Sequence, residues 1–189
     1  MSRSQYAYQL KITLRGSKPP IWRRVVVPGN ITLGRLDRVI QTVMGWLNVH
    51  LHAFQIDGIE YSGPGPDGYI DDSHSFEDEA EYRICDVLRK EKMKFRYLYD
   101  FGDGWEHIIV VEKILPPLLA PKGIVCTGGK MNCPREDCGG LWGHYSMIKI
   151  LADPMHPRYA ETIESMGTPF DPEEFDMQQV NTALKEMGV

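Results

Sequence analysis

Apolar side chains recur at every second residue near the start of the chain. Tyr6, Tyr8, Leu10, Ile12 and Leu14 alternate with Ala7, Gln9, Lys11 and Thr13, the period of a strand buried on one face. Gly16, Pro19 and Pro20 break that pattern, and the β-branched run over 21–27, ended by Pro28 and Gly29, predicts a partner strand; the two should form a hairpin. The period then becomes helical. Thr32 offers an N-cap hydroxyl, and Leu33, Leu36, Ile40, Val43 and Leu47 follow on one face, with Arg35, Arg38 and Gln41 on the other. Gly45 marks a break near the end of this helix.

Residues 50–56 return to strand alternation, with His52, Phe54 and Ile56 on one side. The stretch 58–81 holds Gly63, Pro64, Gly65, Pro66, Asp67 and Gly68 and then an acidic run, which predicts a long surface loop with a short strand over 59–62. Residues 84–88 suit a single helical turn. Phe95, Tyr97 and Tyr99 alternate with Lys94, Arg96 and Leu98, and Trp105, His107, Ile109 and Val111 alternate with Glu106 and Glu112. Between these strands, Asp100-Phe101-Gly102-Asp103-Gly104 supplies the glycines and side-chain acceptors that a tight reversal needs. The remaining apolar spacing is helical. Trp142, Tyr145, Ile148 and Leu151 share a face that ends at Asp153-Pro154. Tyr159, Ile163 and Met166 share a second, stopped by Gly167. Val180, Leu184 and Met187 share a third, behind the caps Asp171-Pro172 and Asp176.

Strands first and helices last read as an α+β fold: a mixed or antiparallel sheet of about five strands, packed by an N-terminal helix, with a helical C-terminal portion. One domain over 1–189 is expected, with a β-rich core and one long helix in 1–113, a Cys/Gly/Pro-rich loop over 114–140, and helices over 141–189 packed on the core. A chain of 189 residues buries enough surface to fold without staples. No apolar run approaches the ~18 residues that span a bilayer. The opening residues lack the apolar core of a signal peptide, so a cytoplasmic protein is expected. Four cysteines in a chain this long do not suggest a secreted disulfide framework.

Charge is unevenly spread. Residues 1–46 carry eight basic side chains against Asp37, a net of +7, whereas 153–189 carry eight acids against Arg158 and Lys185, a net of -6. The basic segment can face phosphate or the protein's own acidic tail; the overall charge of -5 favours the tail.

Four groups of residues could carry chemistry. Cys126, Cys133 and Cys138, with His144 or His107, could form a tetrahedral zinc site, although no Cys-x-x-Cys knuckle is present; the alternative is reduced thiols packed beneath a loop. Asp100, Asp103 and His107 cluster near the reversal and could act in acid–base catalysis or hold a cation; structural capping and a hydrogen-bonded core histidine compete with that reading. Arg15, Lys18, Trp22, Arg23, Arg24, Arg35 and Arg38 could bind nucleic acid by stacking and phosphate pairing, or Arg24 could pair with Asp100 or Asp103. His50 and His52 would face the same way on a strand and could chelate. The glycine-rich phosphate loop, the Gly-x-Ser-x-Gly elbow and the His-Glu-x-x-His motif are all absent.

Longer strings add a resemblance. Pro20-Ile21-Trp22-Arg23-Arg24, then Tyr99 through Asp100-Phe101-Gly102-Asp103-Gly104 to Trp105-Glu106-His107, then Cys133-Pro134-Arg135-Glu136-Asp137-Cys138-Gly139-Gly140, and Phe170-Asp171-Pro172-Glu173-Glu174-Phe175 together resemble the plasmid-Ri ORF-3-like proteins, from about Tyr6 to about Leu184. Arg135 stands where relatives often carry a proline. The resemblance implies an α+β fold and the company of plasmids and mobile elements, and it brings no catalytic residues. The leading expectation is a non-enzymatic binding or accessory domain with a protein partner. The alternatives are a metal-dependent hydrolase using Asp100, Asp103 and His107, and a nucleic-acid-binding accessory factor.

Overall fold

One sheet of eight strands runs through the computed structural model, which describes residues 3–65, 68–69 and 75–187. The elements are β1 (Ala7–Leu14), β2 (Trp22–Pro28), α1 (Leu33–Met44), β3 (His52–Ile56), β4 (Ile59–Ser62), β5 (Glu77–Asp78), α2 (Ile84–Val87), β6 (Lys94–Tyr99), β7 (Trp105–Leu115), β8 (Val125–Lys130), α3 (Gly140–Leu151), α4 (Tyr159–Met166) and α5 (Met177–Glu186). The strand order is β5-β4-β3-β6-β7-β1-β2-β8. Only the β4–β5 pair is parallel, so the sheet is mixed and the α+β class holds.

The two predicted hairpins form its middle. Tyr8 pairs with Val27 across β1–β2, and Tyr99 with Trp105 across β6–β7. Because side chains alternate across a strand, Tyr8, Leu10, Ile12, Leu14, Val25, Val27, Tyr97, Tyr99, Trp105, Ile109 and Val111 are all buried. Leu33, Leu36, Val39, Ile40 and Val43 of α1 join the same core. Each such aliphatic side chain contributes about 1.5–3 kcal/mol by leaving water, which explains why these hairpins and α1 fold as read.

The sheet has three more strands than the five expected. β4 and β5 are short. β8 lies within the segment read as a Cys/Gly/Pro-rich loop over 114–140, and its two glycines weaken the strand signal. Gly129 is needed there: a Cβ at that position would stand 2.5 Å from the Phe175 ring. β8 is also an edge strand, and the Asn181 side chain both donates to the Cys126 carbonyl and accepts from its N–H, which pairs part of an edge that would otherwise be open.

Four expected facings differ. Gln41 is buried and donates to the Tyr97 hydroxyl. Leu47 is 76% exposed because α1 ends at Gly45 in the left-handed region. Trp142 is 82% exposed, and α3 instead buries Gly140, His144 and Ile150. Ile163 is exposed, and α4 buries Thr162 and Met166. The caps at Thr32 and Asp176 form as read. Of the loop expected over 58–81, β4 forms as read and β5 is additional; residues 66–67 and 70–74 lie outside the described residues.

Candidate functional site

Three backbone segments meet beyond the turn that joins β6 to β7. Asp100 adopts a positive φ of 54°, and its Oδ1 accepts from Gly102 N and Asp103 N at 2.9 and 3.3 Å. That capping fixes the carboxylate and leaves Oδ2 directed away from the turn. Asp103 ties down the second segment by accepting from Gly139 N at 3.1 Å. Gly140 follows in the left-handed region, and a Cβ there would stand 2.8 Å from the Asp103 carbonyl. Trp46 holds the same loop from the core side, donating to the Pro134 carbonyl while its ring lies 4.8 Å from that of Tyr99. The third segment is the short bend before β3. Its Leu47 N–H donates to Glu136 Oε1, and its Val49 N–H to the Tyr99 hydroxyl, which in turn donates to Glu136 Oε1.

This framework surrounds His50 with carboxylates. Its Nε2 lies 3.2 Å from Asp137 Oδ1, 3.7 Å from Asp100 Oδ2 and 3.8 Å from Glu136 Oε2. His50 Nε2 and Glu136 Oε2 are buried atoms without a hydrogen-bond partner, a costly state unless another group completes them. Donor atoms of His50, Asp100 and Asp137 all lie within 4.8 Å of one another, and among the described residues this is the one group of three or more His, Cys, Asp or Glu so arranged. A cavity of ≈ 390 Å³ adjoins it, lined by Val49, Leu51, Tyr69, Phe101 and Gly102 as well as His50 and Asp100. Burial drives the Tyr99 hydroxyl far above its usual pKa, so it stays a donor to Glu136.

The candidates read from sequence are dispersed. Asp100 joins the seam and Asp103 positions it, but His107 points the other way. It is fully buried beside Trp46, and burial pushes its pKa down to about 4. The trio Asp100, Asp103 and His107 therefore does not assemble. Cys126, Cys133 and Cys138 do not converge with His144 or His107 either. All the cysteines are free, and Cys126 and Cys138 donate to the carbonyls of Gly128 and Gly140. Burial raises all three thiols, Cys138 to about 11 and Cys133 further, which disfavours the thiolate a metal needs. His144 is buried against Tyr145 and Phe170.

His50 and His52 do not chelate together. β3 begins at His52, whose ring turns inward to Glu79 and Asp37. The basic residues divide between the two faces of the sheet. Arg24 pairs with Glu112 rather than Asp100 or Asp103, because both side chains rise from the outer face two strands apart. Arg15 pairs with Glu106, and Trp22 lies between Lys11 and Arg24. Arg23 is buried on the inner face. Lys18 is exposed before β2; on α1, Arg38 is exposed and Arg35 reaches the Met187 carbonyl. Glu136 and Asp137 escape the sequence reading even though they sit inside one of its quoted motifs, between Cys133 and Cys138; the acidic pair was the available signal.

The chain as a whole has relatives among known proteins. The profile of the plasmid pRiA4b ORF-3-like protein family matches residues 6–179. Uncharacterised protein y4hQ of Sinorhizobium fredii is 38% identical over 185 residues, covering 95% of this chain and 91% of that one. The crystal structure of MM3350 from Methanosarcina mazei Go1, described as a protein of unknown function, superposes with a TM-score of 0.79 at 35% identity, covering 92% of this chain and 96% of that one.

Proposed function

The chain belongs to the plasmid pRiA4b ORF-3-like protein family, and from that premise we propose that it is a binding or accessory domain that holds one divalent cation at the His50 seam. One observation carries the reading: one donor atom from each of His50, Asp100 and Asp137 lies within 4.8 Å of the others, while His50 Nε2 and Glu136 Oε2 lack any hydrogen-bond partner. One imidazole among carboxylates suits zinc or manganese better than magnesium or calcium, which prefer all-oxygen shells. A cation would also relieve the mutual repulsion of Asp100, Glu136 and Asp137. Zinc remains the cofactor expected from sequence, now with oxygen and nitrogen ligands in place of the cysteines.

The adjoining ≈ 390 Å³ cavity favours a second reading, metal-assisted hydrolysis. A cation held on one side by protein would present an open position to that cavity, where bound water can be activated. Asp100 keeps its part in this version; Asp103 has a positioning duty and His107 has none. Free thiols suit a reducing compartment such as the cytoplasm, and the family's plasmid origin supports an association with mobile elements. The pairing of Arg15 and Arg24 with acids weighs against nucleic acid as the partner. No helix among the described residues is long and apolar enough to cross a membrane.

The test is calorimetric titration of chelator-stripped protein with zinc, manganese and magnesium salts. One-site binding of zinc or manganese that disappears in His50→Ala supports the reading. Binding that is absent, or unchanged in that variant, refutes it.

A further inference from the structure

Arg23 presents a separate problem. It is 3% exposed, yet it forms no ion pair with any carboxylate among the described residues. Its Nε donates to the Val43 carbonyl at 2.8 Å, and Nη1 donates to the carbonyls of Trp22 and Lys130 at 2.9 and 3.0 Å. The Phe175 ring covers the guanidinium, 4.4 Å from its carbon. Nη2 has no acceptor among the described residues. Burial lowers the pKa of the group, and a guanidinium keeps its proton in proteins. Nη2 is not among the sealed unpartnered atoms, so a guanidinium buried away from every carboxylate of the described residues offers an accessible donor to an anion.

The space for one is present. Arg23 lines a cavity of ≈ 420 Å³ with Asn132, Glu174, Phe175, Asp176 and Gln179, closed on one side by Val43, Met44 and Gly45 at the end of α1. This is a built site: Gly129 lets Phe175 approach β8, and Phe175 brings Glu174 and Asp176 to the rim on either side of itself. Those two acids and the negative end of the α1 dipole would repel a phosphate dianion, and the positive end of α5 at the same cavity is already answered by Asp176, whose Oδ1 accepts from Gln178 N and Gln179 N. The two acids would attract a cation held close to a carboxylate.

We infer that this cavity binds a small zwitterion of the free amino-acid class, its carboxylate on Arg23 Nη2 and its ammonium toward Glu174 and Asp176. Neither the metal centre nor its chemistry is needed for this site. The planar guanidinium suits a carboxylate, and the fork is held by three backbone carbonyls before any ligand arrives, which lowers the cost of ordering it.

The experiment is a thermal-shift screen of the full chain, in EDTA, against the proteinogenic L-amino acids at millimolar concentration, followed by calorimetry on any that raise the melting temperature. At least one should bind with one-to-one stoichiometry. Its N-acetyl and carboxamide derivatives should not bind. Glu174→Gln, an exposed position, should weaken binding by about tenfold or more, and Arg23→Met should abolish it. Should Arg23→Met fail to fold, Glu174→Gln and the blocked derivatives still decide the matter. If no amino acid binds, or binding is indifferent to both Glu174→Gln and the blocked termini, Glu174 and Asp176 are merely distant counter-ions of Arg23 and the inference is wrong.

Discussion

His50 and His52 stand two residues apart, each ringed by carboxylates, and only one of them is satisfied. Around His52 both ring nitrogens face a carboxylate, and the one unpartnered atom of the network, Gln41 Oε1, lies at its far end. His52 Nε2 meets Glu79 Oε2 at 2.8 Å and its Nδ1 faces Asp37 Oδ1 at 3.5 Å. Asp37 Oδ1 also accepts from the Tyr97 hydroxyl at 2.6 Å, and that hydroxyl accepts from Gln41. Glu79 is wedged between Gly34 and Gly63, where a Cβ would lie 3.0 and 2.8 Å from its Oε1. Around His50, by contrast, the carboxylates are held by the backbone but the imidazole Nε2 and Glu136 Oε2 are left without partners. The same residue types thus make a structural network with both imidazole nitrogens engaged at one position and a cluster with unpartnered atoms at the other. What separates them is whether the hydrogen bonds are already made, not the presence of charge.

That contrast can be broken by mutation. His52→Leu should leave Asp37 and Glu79 as uncompensated buried acids and cost about 3–5 kcal/mol, read as a large drop in the midpoint of urea unfolding. His50→Ala in the same assay should change stability by less than about 1 kcal/mol while removing cation binding. Equal losses in the two variants would erase the distinction.

The next effect is on pH dependence. His107 has its pKa lowered by burial from 6.5 to about 4, so between those values the unfolded chain binds more protons than the folded one. Stability should therefore fall as the pH drops from 6.5 towards 4, by roughly 3 kcal/mol in total. His107→Leu should flatten that part of the profile. His52 has the opposite sign: burial disfavours its charged form, but the bond to Glu79 and the charges of Asp37 and Glu79 outweigh that and raise its pKa. Its contribution is complete below pH 6.5 and is lost as pH rises through the folded-state value. The two profiles together, measured on His107→Leu and wild type, assign each limb to its residue.

How far these sites were legible in sequence follows from what sets them. The hairpins and α1 declare themselves because burial on one face imposes a period of two or 3.6. β8 does not, because Gly129 answers to Phe175, a contact made 46 residues later in the chain, and Gly128 to Trp22 on β2. Gln41 lies on the polar stripe of α1 by spacing, but its amide serves Tyr97 on β6, a partner periodicity cannot reveal. At the seam, Asp100 was legible as a turn acid. Its meeting with His50 and Asp137 depends on Asp103 accepting from Gly139 and on Trp46 holding Pro134, which are tertiary contacts. The cysteines are the softer ligands, yet Cys126 and Cys133 pack in the core and Cys138 against its edge, where burial disfavours the thiolate.

A smaller effect sharpens the role of Asp103. Asp103→Ala should free the Gly139 N–H, cost about 1 kcal/mol and loosen the loop bearing Glu136 and Asp137. Cation affinity should fall by about 10- to 100-fold, as expected when a group that orients metal ligands is lost. Calorimetry and denaturation on the same sample check both numbers. Smallest of all, Asp137→Asn, at an exposed position, should shift stability by no more than about 0.5 kcal/mol yet still weaken the cation.

X-ray absorption at the zinc edge, on protein loaded with one equivalent, separates the competing ligand sets most directly. Coordination by the His50, Asp100 and Asp137 set predicts a first shell of nitrogen and oxygen at about 2.0–2.2 Å with no sulfur. A shell at about 2.3 Å would place the ion on the cysteines and contradict the account.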